Sequence, residues 1–144
     1  MLVRDRMSAP AITITANESF HKGLHVMQAR KLRRLPVVDA ENRLVGIVAE
    51  RDLALAASHY LTAPVDVEEI MCKEVLTIGP DTSISEAAIL MVDRRIGGLP
   101  VVDAEQHVLG IITESDIFRT FVDLVRQGAT DDPNLVPSEM MWRF

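Results

Sequence analysis

An internal repeat with an offset of 64 residues constrains the fold of this chain more than any other sequence feature. Leu35–Glu41, which reads Leu-Pro-Val-Val-Asp-Ala-Glu, recurs as Leu99–Glu105. The same offset, without a gap, aligns Met7 with Met71, Thr13-Ile14 with Thr77-Ile78, Ser19 with Ser83, Met27 with Met91, Gly46-Ile47 with Gly110-Ile111, and Asp52 with Asp116. This constant register indicates a tandem duplication, covering residues 3–56 and 67–120 and joined by a connector around 59–66.

Each repeat predicts the same order of elements, β-α-β-β-α. An extended stretch (11–15 or 75–78) precedes a helix start signal at Ser19 or Ser83. Apolar residues at helical spacing follow, and the Leu-Pro-Val-Val-Asp segment is typical of a strand that a polar turn joins to a second strand. A second helix is predicted to begin near Glu50 or Glu114. These elements predict an α/β (α+β) fold.

Composition limits the function classes. The chain has 144 residues, 48% apolar and 25% charged, which suits one compact domain or two very small ones. Its net charge of −6 and aromatic content of 4% argue against broad nucleic-acid binding. No apolar run is long enough for a membrane span, nothing reads as a secretory signal, and Cys72 has no partner for an internal disulfide. We therefore expect a cytoplasmic protein without a membrane partner.

The segment Gly110–Asp116 is the sharpest candidate for a ligand site. It predicts a strand that runs into a helix N-terminus, where unpaired N–H groups and the helix dipole favour an anion. Asp116 could accept hydrogen bonds from a ribose diol, whereas the alternative is a plain capping pair of Thr113 and Asp116. The counterpart in the first repeat keeps Asp52 but has Ala49 in place of the hydroxyl.

The duplicated unit, with its Leu-Pro-Val-Val-Asp strand and its Gly-hydrophobic-hydrophobic-Thr-x-x-Asp segment, resembles the cystathionine β-synthase (CBS) domain. Two such units in tandem resemble a Bateman module, here over residues 3–125, in the manner of a stand-alone CBS-pair protein. The resemblance implies a pseudo-two-fold pair, with one repeat at 1–60 and the other at 61–125. Residues 126–144 are rich in Asp, Pro and Gly up to residue 139, and they are expected to form a flexible tail. It also implies a regulatory module that is not an enzyme, needs no cofactor or metal, and senses adenosine nucleotides such as AMP, ADP or ATP.

The resemblance further implies two clefts between the repeats, because the aspartate of one repeat faces the first strand of the other. The stronger cleft is expected at Pro10, Ala11, Ile12, Arg33, Arg34, Pro36, Thr113 and Asp116. The weaker cleft is expected at Asp52, Val75, Leu76, Gly97 and Gly98. Two arginines suit phosphates, although a solvated helix end is the alternative for 30–34. The other cleft has glycines there, so it is expected to be weak or empty, unless the glycines let a ligand approach closely.

The second helices indicate assembly. Their apolar residues exceed what one sheet covers: Leu53, Leu55 and Ala56 in one repeat, and Ile117, Phe118, Phe121 and Leu124 in the other. Such surplus predicts a homodimer, which the resemblance implies is a disc of four repeats, either head-to-head or head-to-tail. A ligand-free dimerisation scaffold remains the alternative function. The apolar end of the tail, 140–144, is a candidate anchor for a regulated partner protein.

Overall fold

The computed structural model describes residues 1–59 and 64–128, and it contains two similar α/β units. The first sequence repeat forms a 3-10 helix at Val3–Asp5, β1 (Ile14–Thr15), α1 (Phe20–Arg30), β2 (Arg34–Val38), β3 (Leu44–Ala49) and α2 (Glu50–His59). The second forms α3 (Val67–Ile70), α4 (Ile84–Arg94), β4 (Gly98–Val102), β5 (Val108–Thr113) and α5 (Glu114–Arg126). The predicted mixed α/β class is confirmed, and α3 is an addition that the sequence did not predict.

The predicted helix starts are confirmed at Ser19 and Ser83. The Ser19 side chain accepts a hydrogen bond from the N–H of Lys22 at 3.3 Å, and Ser83 accepts one from the N–H of Glu86 at 3.1 Å. Each hydroxyl thereby satisfies a backbone donor that has no partner inside the helix. Both helices begin at the position that the repeat predicted for them.

The two hairpins are confirmed, but the first strands are shorter than predicted. Antiparallel pairs β2–β3 and β4–β5 form, and β1 pairs in parallel with β2. In the second repeat the expected strand over 75–78 is reduced to one parallel bridge between Ile78 and Val101. Past Ile78 the next donor in a parallel ladder would be the N–H of residue 80, and Pro80 has none, so the bridge does not lengthen in that direction. Residues 75–77 form no strand.

The two units are related by a pseudo-two-fold axis that passes between the hairpin turns. The N–H of Leu44 donates to the carbonyl of Gln106 at 2.9 Å, and the N–H of Val108 donates to the carbonyl of Asn42 at 3.0 Å. Residues 44 and 108, and residues 42 and 106, are equivalent in the repeat. Equivalent residues therefore make reciprocal bonds, as a two-fold relation requires.

The leading turn of each repeat packs on the other repeat. Val3 lies in the hydrophobic core of the second unit and donates its N–H to Thr82, while Val67 lies in the core of the first unit and donates to Glu18, both at 2.8 Å. Both valines are fully buried. Each hydrophobic core is therefore built from residues of both sequence repeats. The boundary between the repeats, at residues 60 and 61, stays a prediction from the sequence.

Because the leading turns are exchanged, the backbone that follows each turn comes close to the hairpin of the other repeat. Ser8 bridges Ile111 of the second hairpin, and Cys72 bridges Ile47 of the first. A Cβ on Gly110 would lie 2.5 Å from the carbonyl oxygen of Ser8, so only glycine fits at that position. We call residues 8–12 and 72–76, which begin at these bridges, the crossing segments, and they form one wall of each cleft between the repeats.

Three hydrophobic clusters hold the structure together. One lies in each unit, and a third joins the hairpins through Val38, Val102 and Val108. Leu53 and Ala56 belong to the first cluster, so the expectation that they add to an exposed surface is wrong. Of the tail predicted at 126–144, only residues 126–128 are described, and the candidate anchor at 140–144 lies outside the described residues.

Candidate ligand-binding clefts

The N-terminus of α5 holds a buried carboxylate. Asp116 is 8% exposed, and its Oδ2 accepts hydrogen bonds from the N–H of Thr113 at 2.8 Å and from the Thr113 hydroxyl at 2.9 Å. Its Oδ1 accepts a hydrogen bond from Nη1 of Arg119 at 3.1 Å. Thr113 and Asp116 therefore form the predicted cap. A carboxylate has about four acceptor positions, so Asp116 can accept a hydrogen bond from one more donor.

A cavity of about 450 Å³ lies in front of this helix terminus, and we call it the Asp116 cleft. The crossing segment of the first repeat forms one wall, and the end of α1 with the start of β2 forms another. The lining residues are Ser8, Pro10, Ile12, Lys31, Leu32, Arg33, Arg34, Gly97, Ile111, Thr113, Glu114, Ser115, Asp116 and Arg119. Cations from the first repeat thus face the helix N-terminus of the second.

The structure brings together six of the eight residues predicted for this cleft: Pro10, Ile12, Arg33, Arg34, Thr113 and Asp116. Two others do not line it. Pro36 is fully buried within β2, and Ala11 packs against the third cluster. Ser8, Lys31 and Arg119 also line the cleft and were not predicted as site residues. Lys31 was visible as part of the basic run, and Arg119 stands one helical turn after Asp116.

A second cavity, of about 280 Å³, lies at the equivalent place beside α2, and we call it the Asp52 cleft. Asp52, Val75, Leu76 and Gly98 line it as predicted, whereas Gly97 lines the Asp116 cleft instead. The side chain of Asp52 is exposed and makes no hydrogen bond or ion pair with a described residue, because Ala49 offers no hydroxyl. The two clefts are therefore related in position but differ in chemistry.

Arg34 connects the two clefts, and it lines both. Its side chain crosses to the second repeat and lies on the backbone of two glycines. A Cβ on Gly97 would stand 2.5 Å from Nη2 of Arg34, and a Cβ on Gly98 would stand 3.2 Å from its Cδ. The glycine pair thus makes room for an arginine from the other repeat, a use of the pair that the sequence analysis did not predict.

The comparisons with known proteins agree with this architecture. The model of the CBS domain matches residues 3–59 and again residues 67–123. The chain belongs to the CBS domain family. It is 36% identical to the CBS domain pair of protein MJ0100, solved in complex with 5′-methylthioadenosine and S-adenosyl-L-methionine, with a TM-score of 0.78 and coverage of 85% of this chain and 97% of that one. The predicted resemblance is confirmed.

One further CBS relative was solved with a different ligand, and another is much longer than this chain. CBSX2, solved in complex with AMP, is 26% identical with a TM-score of 0.78, over 86% of this chain and 98% of that chain. The L-aspartate semialdehyde sulfurtransferase of Methanocaldococcus jannaschii is 37% identical over 83% of this chain but only 23% of its own length. This CBS pair thus spans about a quarter of that enzyme.

A further cavity of this CBS pair, of about 480 Å³, lies in a groove between α4 and α5, and Arg34 lines it as well. Exposed apolar side chains surround it, Phe118 at 66% and Val92 at 75%, and Ile89, Phe121 and Val122 add to the same two helices. The equivalent residues of the first repeat are His25, Gln28, Ala54, Ala57 and Ser58. The apolar face is therefore confined to the second repeat, and on α2 only Leu55 is a large exposed apolar residue among those described.

The turn between β4 and β5 gathers potential metal ligands. Donor atoms of Asp103, Glu105 and His107 lie within 4.8 Å of one another. Partial desolvation raises the pKa of Asp103, but hydrogen bonds from the N–H and ring of His107 and the N–H of Glu105 outweigh it, so the pKa is lowered overall. These bonds fix the turn, and Asp39 makes the same backbone bonds in the first repeat.

Within the part of the chain that the structure describes, no helix combines the length and apolar character that crossing a bilayer requires.

Proposed function

We propose that this CBS pair is a regulatory module that binds an adenosine nucleotide, AMP, ADP or ATP, in the Asp116 cleft and signals through a change of shape. The observation that carries the proposal is the junction of a helix N-terminus and Asp116 from one repeat with Arg33 and Arg34 from the other in a single cavity. Adenosine ligands bound to related CBS pairs support it.

The chemistry of the cleft suits the two polar parts of a nucleotide. The remaining acceptor position of Asp116 would accept a hydrogen bond from a ribose hydroxyl, while the Thr113 hydroxyl already donates to that carboxylate. Guanidinium groups bind phosphate through paired N–H donors, and a helix N-terminus favours the same anion. The apolar side chains of Pro10 and Ile12 offer a surface for the base. The cap and the ligand site are compatible.

We propose that the module binds its ligand and does not catalyse a reaction. A ligand that contacts both repeats changes how the repeats sit against each other. The Asp116 cleft draws one wall from each repeat, so its occupant contacts both. Such a ligand stabilises one arrangement of the pair by its difference in affinity for the two. A regulated partner protein would read that arrangement.

A ligand-free dimerisation scaffold is the second candidate, and two observations favour it. Asp116 already has three hydrogen bonds, and the apolar face on α4 and α5 is suited to an interface. In that case Asp116 only caps its helix. The homodimer belongs to both candidates, so assembly alone does not separate them.

Titration calorimetry separates the candidates. The full chain is titrated with ATP, ADP, AMP, 5′-methylthioadenosine and S-adenosyl-L-methionine, with GTP as the control for base identity. We expect saturable binding of at least one adenine nucleotide and much weaker binding of GTP. No binding across the panel would overturn the nucleotide proposal and leave the scaffold.

A further inference from the structure

The guanidinium of Arg34 has no partner among the residues that the structure describes. It is half-buried against Gly97 and Gly98, and it makes no hydrogen bond or ion pair within residues 1–59 and 64–128. A charge that is partly withdrawn from water without a counter-charge is unfavourable, so it gains from a nearby anion. Arg34 lines the groove between α4 and α5 as well as the two clefts, and an anion has room beside it in both clefts.

The two clefts depend on Arg34 to different degrees. In the Asp116 cleft the charged lining residues are Lys31, Arg33, Arg34, Arg119, Glu114 and Asp116, so cations outnumber carboxylates. The Asp52 cleft is lined by two carboxylates, Asp52 and Glu74, and Arg34 is the single cation among its described lining residues. Without Arg34, the Asp52 cleft would present negative charge alone.

We infer that Arg34 is an anion-binding group shared by the two clefts, so that an anion bound in the Asp116 cleft weakens anion binding in the Asp52 cleft. This inference rests on the proposed function. A guanidinium that directs its N–H groups to a phosphate in the Asp116 cleft offers fewer of them, and less of its charge, to a phosphate in the Asp52 cleft. When a phosphate in the Asp116 cleft draws it, Asp52 and Glu74 are left unopposed and repel a second anion.

The coupling depends on charge, which sets it apart from a general change of shape. An uncharged adenosine ligand does not require the guanidinium, so its affinity for the Asp52 cleft is independent of Arg34. An anionic ligand of the same size loses affinity. Because coupling between two binding sites is reciprocal, an anion in the Asp52 cleft weakens the other cleft by the same factor.

Amide NMR spectra of the full chain test this inference, since each cleft has its own reporter. The N–H of Ser115 reports on the Asp116 cleft, and the N–H of Ala49 reports on the Asp52 cleft. AMP and 5′-methylthioadenosine are titrated while the Ala49 signal is followed, without ATP and with enough ATP to saturate the Ser115 signal alone. We expect ATP to raise the Kd of AMP at Ala49 about fivefold or more, and to leave that of 5′-methylthioadenosine unchanged.

Two variants assign the effect to Arg34. Arg34→Gln is expected to abolish the ATP-dependent rise in Kd at Ala49. Arg33→Gln is the matched control, because Arg33 lines the Asp116 cleft alone: it should weaken ATP binding but keep the rise. Gly97→Ala keeps the charge but places a Cβ 2.5 Å from Nη2, so the guanidinium must move. The ATP-dependent rise in the Kd of AMP at Ala49 should then differ from that of the unsubstituted chain.

The outcomes separate this inference from the proposed function. Independent binding of AMP at the two reporters overturns the sharing of Arg34 and leaves nucleotide binding intact. The sharing is equally overturned if AMP never shifts the Ala49 signal, or if the rise persists in Arg34→Gln. If no ligand shifts either signal, the proposed function fails and takes this inference with it.

Discussion

Thr113 gives both its backbone N–H and its hydroxyl to the same oxygen of Asp116, at 2.8 and 2.9 Å. One carboxylate oxygen thereby fixes the first turn of α5, while the other is held by Arg119. The aspartate is thus oriented before any ligand arrives, and its position at the Asp116 cleft follows from the helix cap. Asp116 therefore contributes to the stability of α5 and, in the proposed function, to ligand binding. A variant of Asp116 has to be measured for both stability and affinity.

Replacement of Asp116 should lower stability and ligand affinity together. Asp116→Ala removes the cap, at about 1 kcal/mol of unfolding free energy, and a charge-assisted hydrogen bond to ribose, at about 1–3 kcal/mol of binding. Denaturant unfolding and titration calorimetry measure the two effects. Asp52→Ala is the matched control, because Asp52 makes no hydrogen bond with a described residue and its loss removes only a first-turn charge, so stability should fall by less than in Asp116→Ala. Lower stability with unchanged affinity would support a cap without a ligand role.

The two arginines should distinguish ligands by phosphate content. The double change Arg33→Ala and Arg34→Ala is expected to weaken ATP binding by about tenfold or more while adenosine loses little, because guanidinium groups bind phosphate rather than base or ribose. Arg30→Ala is the control, since Arg30 is exposed and does not line the cleft. Calorimetry with ATP and adenosine measures both affinities, and equal losses would mean that the arginines do not contact phosphate.

The glycines under the crossing segments should tolerate no side chain. Gly110→Ala places a Cβ 2.5 Å from the Ser8 carbonyl oxygen, and Gly46→Ala places one 3.0 Å from that of Cys72. We expect each change to cost about 1–3 kcal/mol of unfolding free energy, as overpacking does. Gly79→Ala, whose Cβ would come no nearer than 3.9 Å to Thr82, should be close to neutral. Similar stabilities for all three variants would contradict the crossing.

Local and periodic features of the fold could be predicted from the sequence, and long-range pairings could not. Ser19 and Ser83 mark helix starts because a cap acts on its own first turn, and the repeat predicts which elements are equivalent. Val3 and Val67 carry no such signal: each is a single apolar residue whose core belongs to the other repeat. Only the folded chain shows that the leading turns are exchanged.

The candidate site was predictable to the extent that it depends on the backbone. Thr113 and Asp116 follow from a strand–helix junction, and Arg33 follows from the basic end of α1. The path of Arg34 does not, because a long side chain with several rotamers is placed by its surroundings. Gly97 and Gly98 occupy the positions of the second repeat that are equivalent to Arg33 and Arg34. This glycine pair was the sequence feature that could have indicated the path of Arg34, since an absent Cβ leaves room for a side chain from another part of the chain.

Assembly should depend on the second repeat. The apolar face of α4 and α5 has polar or small residues at the equivalent places in the first repeat, so we propose a homodimer in which the two second repeats meet. A two-fold interface uses the same patch on both subunits, which a single patch allows. Light scattering at micromolar concentration should give twice the chain mass of 16.0 kDa, with and without nucleotide.

Phe118→Glu should break this dimer, because it places a charge in the centre of the apolar face. Ala54→Glu is the matched control: it changes the equivalent, exposed position of the first repeat and should leave the mass at that of a dimer. If Ala54→Glu also yields monomers, the first repeat takes part and the contact is not confined to the second. A wild-type mass of 16.0 kDa would contradict the dimer itself.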